Sequence, residues 1–264
     1  MNDNCIEILG LTHLNVFKDF SIVFEKGKFI NVSGPNNCGK TTLIRIIDNQ
    51  IMTDNSVYIF GEKQEKYKLT ELSSILKTII PLEITFIQST LEEELLYQLP
   101  SNIPKDECQQ KLKDVSKRFK INKHLKSSVN TIPNETIVRL QLALAFITKP
   151  KIVLIDDLTP YFETKELIEI TKIIKEIKEE YGITVIMITS NLSTALMSDY
   201  MYVIDNSKII IEGNPYNVLE KDNVLNKAGL NLPFMMDLSV KLRDYDLIKT
   251  TELDMDRMVD TLWN

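Results

Sequence analysis

The chain has 264 residues and a formal net charge of −6, with 44% hydrophobic and 26% charged residues, and charges of both signs are spread along it without a basic tract. This length and composition suit one large globular domain with a small appendage and exclude the electrostatic pattern of a nucleic-acid-binding protein. Three scattered cysteines exclude a disulfide framework and favour a reducing cytosol, no apolar run approaches the roughly 20 residues that span a bilayer, and we expect no signal peptide.

Short β-type segments open the chain at residues 5–11, 19–24 and 28–33, and turn residues separate them. A helical pattern then begins at Lys40, and residues 56–60 predict a further strand before a glycine turn. An apolar strand, a short loop and a helix therefore follow one another in the first fifth of the chain.

The remaining elements alternate between helices and apolar strands. From about residue 83 to 148, apolar residues recur every three to four positions and predict a helical subdomain. Residues 151–157 are apolar on both faces, as in a buried central strand, and the amphipathic helix after them ends at Gly182. A second buried strand spans 183–190, and residues 200–213 predict a hairpin closed by DNSK. The last fifty residues have a helical pattern and predict a small C-terminal unit.

The loop between the third strand and the first helix reads GPNNCGKT and matches the pattern G-x-x-x-x-G-K-[ST]. Glycines let the backbone fold tightly and direct N–H groups at phosphate oxygens, and the helix N-terminus adds partial positive charge. Asn37 stands where glycine is common, and asparagine tolerates left-handed backbone angles. The alternative, a chance glycine turn, is disfavoured by the strand before the loop and the helix after it. The predicted nucleotide contacts are Gly34, Pro35, Asn36, Asn37, Cys38, Gly39, Lys40, Thr41 and Thr42.

Two residues of this loop carry its expected chemistry. Lys40 is expected to reach the β- and γ-phosphates of a nucleotide, and the Thr41 hydroxyl to hold Mg²⁺. Cys38 is interpreted as a small loop residue and not as a redox centre. The run IVLIDD supplies Asp156, expected to hold Mg²⁺ through water, with Asp157 beside it. The alternative is that these two acids only cap the loop that follows.

Several stretches resemble the ATP-binding subunits of ABC transporters. Residues 19–47 resemble the opening strands and P-loop of that family, and residues 142–163 resemble its signature helix, Walker B strand and D-loop. Residues 86–99 are similar to the segment after the Q-loop in the ATPases of energy-coupling factor (ECF) transporters. Residues 209–242, with a Gly-x-Pro turn and an AGL-x-x-P-F segment, look like the C-terminal extension of those ATPases.

The resemblance implies an α/β fold of the ABC-type P-loop NTPases, with a mixed sheet core, a helical subdomain and a small helical C-terminal unit. It implies a nucleotide-binding domain over residues 1–215 and a dimerisation-type extension over 216–264. The cofactors would be ATP and Mg²⁺. The partners would be a second ABC ATPase, an integral-membrane coupling protein and a substrate-binding membrane subunit for a vitamin or metal ion. The chain would lie peripherally at the cytoplasmic face of the cell membrane.

Two catalytic positions depart from the family pattern. The family ends its Walker B strand with Asp-Glu, and the glutamate positions the attacking water, whereas Asp157 stands here and is one methylene shorter. A displacement of about 1 Å costs on the order of 10²-fold in rate. The family places a histidine after the next strand, where Ser190 stands here. The two histidines of the chain, His13 and His124, lie elsewhere, so we expect low hydrolytic activity.

The signature loop, which usually reads Leu-Ser-Gly-Gly-Gln, matches residues 132–136, Ile-Pro-Asn-Glu-Thr. Pro133 removes a backbone donor and the usual serine hydroxyl, and Glu135 would bring negative charge towards the phosphate bound by a partner subunit. Thr136 keeps one hydroxyl. No glycine occurs between Gly61 and Gly182, so the usual motif is not displaced nearby.

Two further positions stay open at the level of sequence. An ungapped match places Ile80 at the usual Q-loop glutamine, a shifted match places Gln88 there, and we favour Ile80. His13 either stacks on adenine or is a plain strand residue, and we favour the second interpretation.

Three functions are compatible with this pattern. The first is an ATP-binding subunit that pairs with a more complete ATPase, because a homodimer would carry two poor sites. The second is a nucleotide-gated regulatory or scaffolding protein without a transport role, and the third is a nucleotide kinase. The ECF-like C-terminal segment disfavours the second, and a helical region in place of an arginine-rich lid disfavours the third. Whether Asp157 still supports slow turnover stays open.

Overall fold

The structure, a computed structural model, describes residues 3–53, 56–253 and 255–263. The predicted ranges 1–215 and 216–264 also include six residues outside the described ones, namely Met1, Asn2, Asp54, Asn55, Asp254 and Asn264. In chain order the elements are β1 (Asn4–His13), β2 (Phe17–Glu25), β3 (Phe29–Ser33), α1 (Lys40–Ile47), β4 (Val57–Ile59), β5 (Glu62–Lys63), α2 (Leu69–Ile75), β6 (Leu76–Ile79), α3 (Leu91–Tyr97), α4 (Lys105–Arg118), α5 (Asn134–Ile147), β7 (Ile152–Ile155), α6 (Thr164–Tyr181), β8 (Thr184–Thr189), β9 (Tyr200–Asp205), β10 (Lys208–Gly213), α7 (Pro215–Leu219), α8 (Asp222–Lys227), α9 (Phe234–Asp244) and α10 (Met255–Trp263).

A six-stranded sheet in the order β10-β9-β3-β8-β7-β6 forms the centre of the fold. Its five strands from β9 to β6 are parallel, and β10 is antiparallel, so the sheet is mixed as predicted. In the ladder of β3 with β8, Ser33 pairs with Thr189, and Asp156 directly follows β7 two strands away. The loops after β3, β7 and β8 therefore begin at one carboxyl edge of the sheet, the usual place for ligand sites in open α/β folds.

An antiparallel sheet in the order β2-β1-β4-β5 packs on the other side of α1. One hydrophobic cluster joins this sheet, α1 and one face of the central sheet. Every residue of β3, β7 and β8 is buried, which explains why these strands lack the alternation of polar and apolar residues. Helix α1 is thus fixed between two sheets, and its N-terminus is held beside the loop that follows β3.

The predicted helical region contains α3, α4 and α5, which share a hydrophobic cluster with α6 and the central sheet. The rings of Phe119 and Phe146 stack within it at 5.8 Å between centroids. Helix α6 stops at Gly182, as the sequence predicts, and this residue directly after Tyr181 has a left-handed φ of 66°. Helix α2 and strand β6 were not predicted; β6 has only four residues and is defined by its pairing with β7.

The C-terminal helices pack against the central sheet. Buried residues of α7, α8 and α9 form one cluster with β9 and with the 3₁₀ turn Leu192–Met197. The predicted hairpin is present, and its turn residues Asn206 and Ser207 have positive φ values of 46° and 61°. The division at residue 215 stays a prediction. Within the described residues, every helix is too short or too polar to cross a membrane.

Candidate functional site

The loop between β3 and α1 has a backbone that only small residues allow. Gly39 lies before α1 with a φ of 99°, and Asn37 has a φ of 65°. A Cβ on Gly34 would lie 2.2 Å from the Ile204 carbonyl oxygen, and one on Gly39 would lie 2.6 Å from Val16 Cγ1. The loop is therefore packed closely on both sides, and its curvature depends on these two glycines.

Gly39→Ala is expected to lower the free energy of unfolding by about 3 kcal/mol, since it combines left-handed strain with overpacking. Gly182→Ala is the matched control, because its φ is also left-handed but no atom lies within 4 Å of the added Cβ. The control should lose only about 1 kcal/mol. Urea unfolding of both variants measures the difference, and equal losses would show that close packing around Gly39 does not matter.

Lys40 is buried, with 8% of its surface exposed, and lies at the start of α1. Its Nζ donates to the carbonyl oxygens of Gly34 at 2.7 Å and Pro35 at 2.6 Å, and lies 3.7 Å from Cys38 Sγ. Burial raises the pKa of the Cys38 thiol, although the Lys40 charge acts in the opposite direction. Cys38 therefore stays a protonated thiol at neutral pH, which agrees with its interpretation as a small loop residue.

Thr41 and Asp156 lie in direct contact across the floor of the site. Thr41 Oγ1 donates to Asp156 Oδ2 at 2.6 Å, and Asp156 Oδ1 accepts from the Asp157 N–H at 2.9 Å. Asp156 is 6% exposed. A hydroxyl and a carboxylate at this distance supply the hard oxygen atoms that Mg²⁺ prefers.

A cleft of about 530 Å³ opens above this pair and is lined by the loop, Val16, Thr42 and Asp157. Lys40 and the N-terminus of α1 contribute positive charge to the cleft. The two aspartates contribute carboxylate oxygens that can bind a metal ion. The cradle that has no room for a Cβ and the Thr41–Asp156 pair both fit the phosphates of a nucleotide with Mg²⁺.

Asp157 and Ser190, the two positions that depart from the family pattern, touch each other. Asp157 Oδ2 accepts from Ser190 Oγ at 3.2 Å and from its N–H at 3.5 Å. Asp157 Oδ1 accepts from the Thr159 N–H at 3.0 Å and from Thr189 Oγ1 at 3.1 Å. Both carboxylate oxygens therefore have donors from the protein itself. Sequence reasoning missed this contact, although β7 and β8, which precede the two residues, are neighbouring strands.

Ile80 and Gln88, the two candidates for the Q-loop position, both lie in the loop after β6. The Asp156 N–H donates to the Ile79 carbonyl at 2.8 Å, so Ile80 follows β6 directly beside Asp156. Gln88 lies further along, where its N–H donates to Glu94 Oε2 at 2.8 Å. Ile80 therefore lies at the end of the strand, and its assignment to the Q-loop position stays a prediction.

Gln141 holds this loop from α5, which sequence reasoning did not foresee. Its amide donates to the Ile80 carbonyl at 3.0 Å and accepts from the Leu82 N–H at 2.9 Å. Gln141 is 5% exposed. A buried amide that bonds two backbone groups fixes the loop to the helical subdomain.

His13 lies in the ladder of β1 with β2, paired with Phe17, and is not among the residues that line the cleft. Val16 lines the cleft, whereas His13, the residue considered for stacking on adenine, does not. This agrees with the preferred interpretation of His13 as a strand residue. Sequence reasoning missed Val16, since an aliphatic residue in a turn gives no signal for binding.

The segment that matches the signature loop begins α5 at Asn134, directly after Pro133. Glu135 accepts from Arg139 Nε at 2.7 Å, and the buried Arg139 guanidinium also lies 5.1 Å from the centre of the Phe162 ring. Thr136 is only 9% exposed, so it does not present its hydroxyl freely to a partner. Pro133 and Asn134 are exposed at this helix start, and beside them Glu135 is half-buried and paired with Arg139.

Comparisons with known proteins agree on one family. The profile described as ABC transporter matches residues 17–160. The energy-coupling factor transporter ATP-binding protein EcfA1 of Mycoplasma mobile is 29% identical over 231 residues, which are 86% of this chain and 84% of that protein. The EcfA1 protein of Enterococcus faecalis is 25% identical over 93% of this chain and 90% of its own length.

Solved structures share the fold. The structure of cbiO1 from Clostridium perfringens, described as part of the ABC transporter complex cbiONQ, matches with a TM-score of 0.74 at 19% identity over 90% of this chain and 99% of its own. A dimeric ATP-binding cassette in a post-hydrolysis state, bound to ADP and Pi, matches with a TM-score of 0.69 at 18% identity over 80% of this chain and 98% of its own.

Proposed function

This chain belongs to the ABC transporter family, and on that premise we propose that it is an ATP-binding subunit of an ECF-type importer that holds Mg-ATP and hydrolyses it slowly. One contrast within the site carries the proposal. The phosphate loop and the Thr41–Asp156 pair are intact, whereas the carboxylate of Asp157 is bonded to Ser190, Thr189 and the Thr159 backbone.

The residues of the loop would bind and orient the nucleotide. Lys40 and the N–H groups before α1 would hold the phosphate oxygens, and Thr41 with Asp156 would hold the metal. When bound, Mg²⁺ would neutralise negative charge that develops on the phosphates. Asp157 would have to give up hydrogen bonds to reach a water molecule, and it is one methylene shorter than glutamate. Slow hydrolysis follows from both properties.

Partner requirements follow from how ABC ATPases share their sites. One subunit supplies the phosphate loop and the catalytic carboxylate, and the other supplies the signature loop. Here the first set has Asp157 and Ser190, and the second has Pro133 and Glu135. Two copies of this chain would thus form two weak sites, so we infer a heterodimer with a more complete ATPase.

The names of the relatives support a place in a membrane complex. We propose that the chain binds an integral-membrane coupling protein and a substrate-binding membrane subunit that takes up a vitamin or a metal ion. It would lie peripherally at the cytoplasmic face of the cell membrane. Residues 216–264 would form the dimerisation-type extension, which is supported by the exposed apolar side chains of Met255, Val259 and Trp263 on α10.

Purification of the tagged chain from membranes in mild detergent tests this proposal. We expect a second ABC ATPase with intact Glu and His motifs and a multi-span membrane protein to co-purify. The chain alone should bind Mg-ATP and release phosphate on the order of 10²-fold more slowly than the assembled complex.

Two outcomes would contradict it. Turnover by the isolated chain equal to that of the complex would show that Asp157 and Ser190 suffice for catalysis. If no membrane protein co-purifies although the chain binds ATP, the result would favour a nucleotide-gated regulatory or scaffolding protein.

A further inference from the structure

One stretch of the helical subdomain has a charge opposite in sign to that of the whole chain. Residues 105–126 hold eight of the 31 lysines and arginines but only three of the 37 aspartates and glutamates. Charges of both signs occur in this region, as elsewhere in the chain, but basic residues predominate. The lysines do not form a continuous run in the sequence, because other residues separate them.

Some of these basic residues are neutralised by neighbours. Lys111 Nζ lies 3.1 Å from Glu107, and Arg118 lies 3.1 Å from Asp114 and 2.7 Å from Glu180. Lys120 pairs with a glutamate of α6. These pairs brace the outer surface of the subdomain and leave little net charge there.

Four other lysines, Lys113, Lys117, Lys123 and Lys126, line one groove, which we call the lysine groove. All four are exposed. Over the ranges that the structure describes, none of the four forms an ion pair within 4.0 Å of a carboxylate. Two carboxylates, Glu92 and Asp106, also line the groove, so four lysines against two acids leave it a formal charge of +2 in a chain whose net charge is −6.

The fold creates the groove by a turn after α4. Lys120 has a left-handed φ of 58°, and the chain then folds back so that the Leu125 carbonyl accepts from the Glu92 N–H at 2.9 Å. The groove between α4 and this turn has a volume of about 810 Å³. Leu112 and Leu125 form part of its wall, so the lysine stems lie on apolar surface while their ammonium groups reach water.

We propose that the lysine groove docks the chain on the anionic headgroups of a lipid bilayer. Clusters of four or more lysines attract anionic lipid, and each lysine near the surface strengthens binding about fivefold. The acidic remainder of the chain is repelled by the same surface. The charge distribution therefore both attaches the subunit and orients it, with α4 and the 122–126 turn facing the bilayer.

The composition of the groove disfavours other anionic partners. Protein interfaces are enriched in arginine and aromatic residues and depleted in lysine, whereas the cations here are all lysines. Binding of single-stranded RNA uses aromatic side chains as stacking platforms, and the described residues that line the groove include none. Lipid binding at the groove does not require nucleotide binding, so its test is independent of the proposed ATP site.

Sedimentation of the full chain with lipid vesicles tests this assignment. We expect binding to vesicles of phosphatidylcholine with phosphatidylglycerol, little binding to phosphatidylcholine alone, and release as salt shortens the Debye length. The double substitution Lys113→Glu with Lys117→Glu should weaken binding to the anionic vesicles by at least about 20-fold. Lys123→Glu with Lys126→Glu should act in the same way.

The matched control is Lys165→Glu with Lys172→Glu, two exposed lysines on α6 that make the same change in net charge. It should weaken binding by less than about threefold, because these lysines lie outside the groove. Equal losses for the groove and control variants would overturn the assignment, as would equal binding to neutral vesicles. Binding of polyglutamate or polyuridylate at the groove without binding to anionic vesicles would also overturn it. Circular dichroism and Mg-ATP binding confirm that each variant is folded.

Discussion

Lys40→Met is expected to weaken Mg-ATP binding by about 10²- to 10³-fold, which corresponds to about 3 to 4 kcal/mol. Methionine keeps the length of the side chain but removes the charge. Lys40 is only 8% exposed, and its ammonium is held inside the loop by the carbonyl oxygens of Gly34 and Pro35. Charge-assisted hydrogen bonds made from such a desolvated group contribute more than those at an exposed surface.

A titration with a fluorescent ATP analogue measures this loss. Lys28→Met is the control, because Lys28 lies at the turn before β3, is 46% exposed and pairs only loosely with Glu25 at 4.0 Å. It should bind nucleotide as the unchanged chain does. If Lys40→Met binds within threefold of the unchanged chain while its unfolding curve is also unchanged, the cleft does not hold phosphate by this ammonium.

The phosphate loop could be predicted because its signals are local. The pattern GPNNCGKT needs an apolar strand before it and a helix after it, and both are visible within twenty residues. The run IVLIDD gives the buried strand β7, because apolar residues on both faces are typical of a central parallel strand. The order of the strands in the central sheet then places Asp156 beside Thr41, and no further sequence signal is needed to predict this contact.

The remaining parts of the site depend on contacts between distant segments. Asp157 and Ser190 are bonded although they are 33 positions apart, and Gln141 holds the backbone of Ile80 from another subdomain. No spacing rule predicts such contacts, since they depend on strand order and helix packing. The lysine groove has the same origin, because the turn at Lys120 brings two separate pairs of lysines to one surface.

In a heterodimer with a more complete ATPase, we expect most turnover of the assembled complex to depend on the partner's catalytic carboxylate. If the partner supplies the catalytic carboxylate of the active composite site, Asp157→Asn should change the turnover of the complex less than twofold. The substitution keeps the shape of the side chain but removes its charge. Measurement of phosphate release by the purified complex decides the matter. Loss of most turnover in this variant would mean that Asp157 itself acts as base or positions the water.

Asp157→Glu combined with Ser190→His is expected to raise turnover at the site of this chain by about 10²-fold or more. Glutamate extends the carboxylate by one methylene, and loss of the Ser190 hydroxyl removes a donor that binds the carboxylate at position 157 in the unchanged chain. The imidazole supplies the group that the family has after β8. The assay uses the complex with the partner's own carboxylate removed, so that only this site contributes. Asp157→Glu alone should give a smaller rise, and no rise in the double variant would show that the packing of the cleft limits the rate instead of positions 157 and 190.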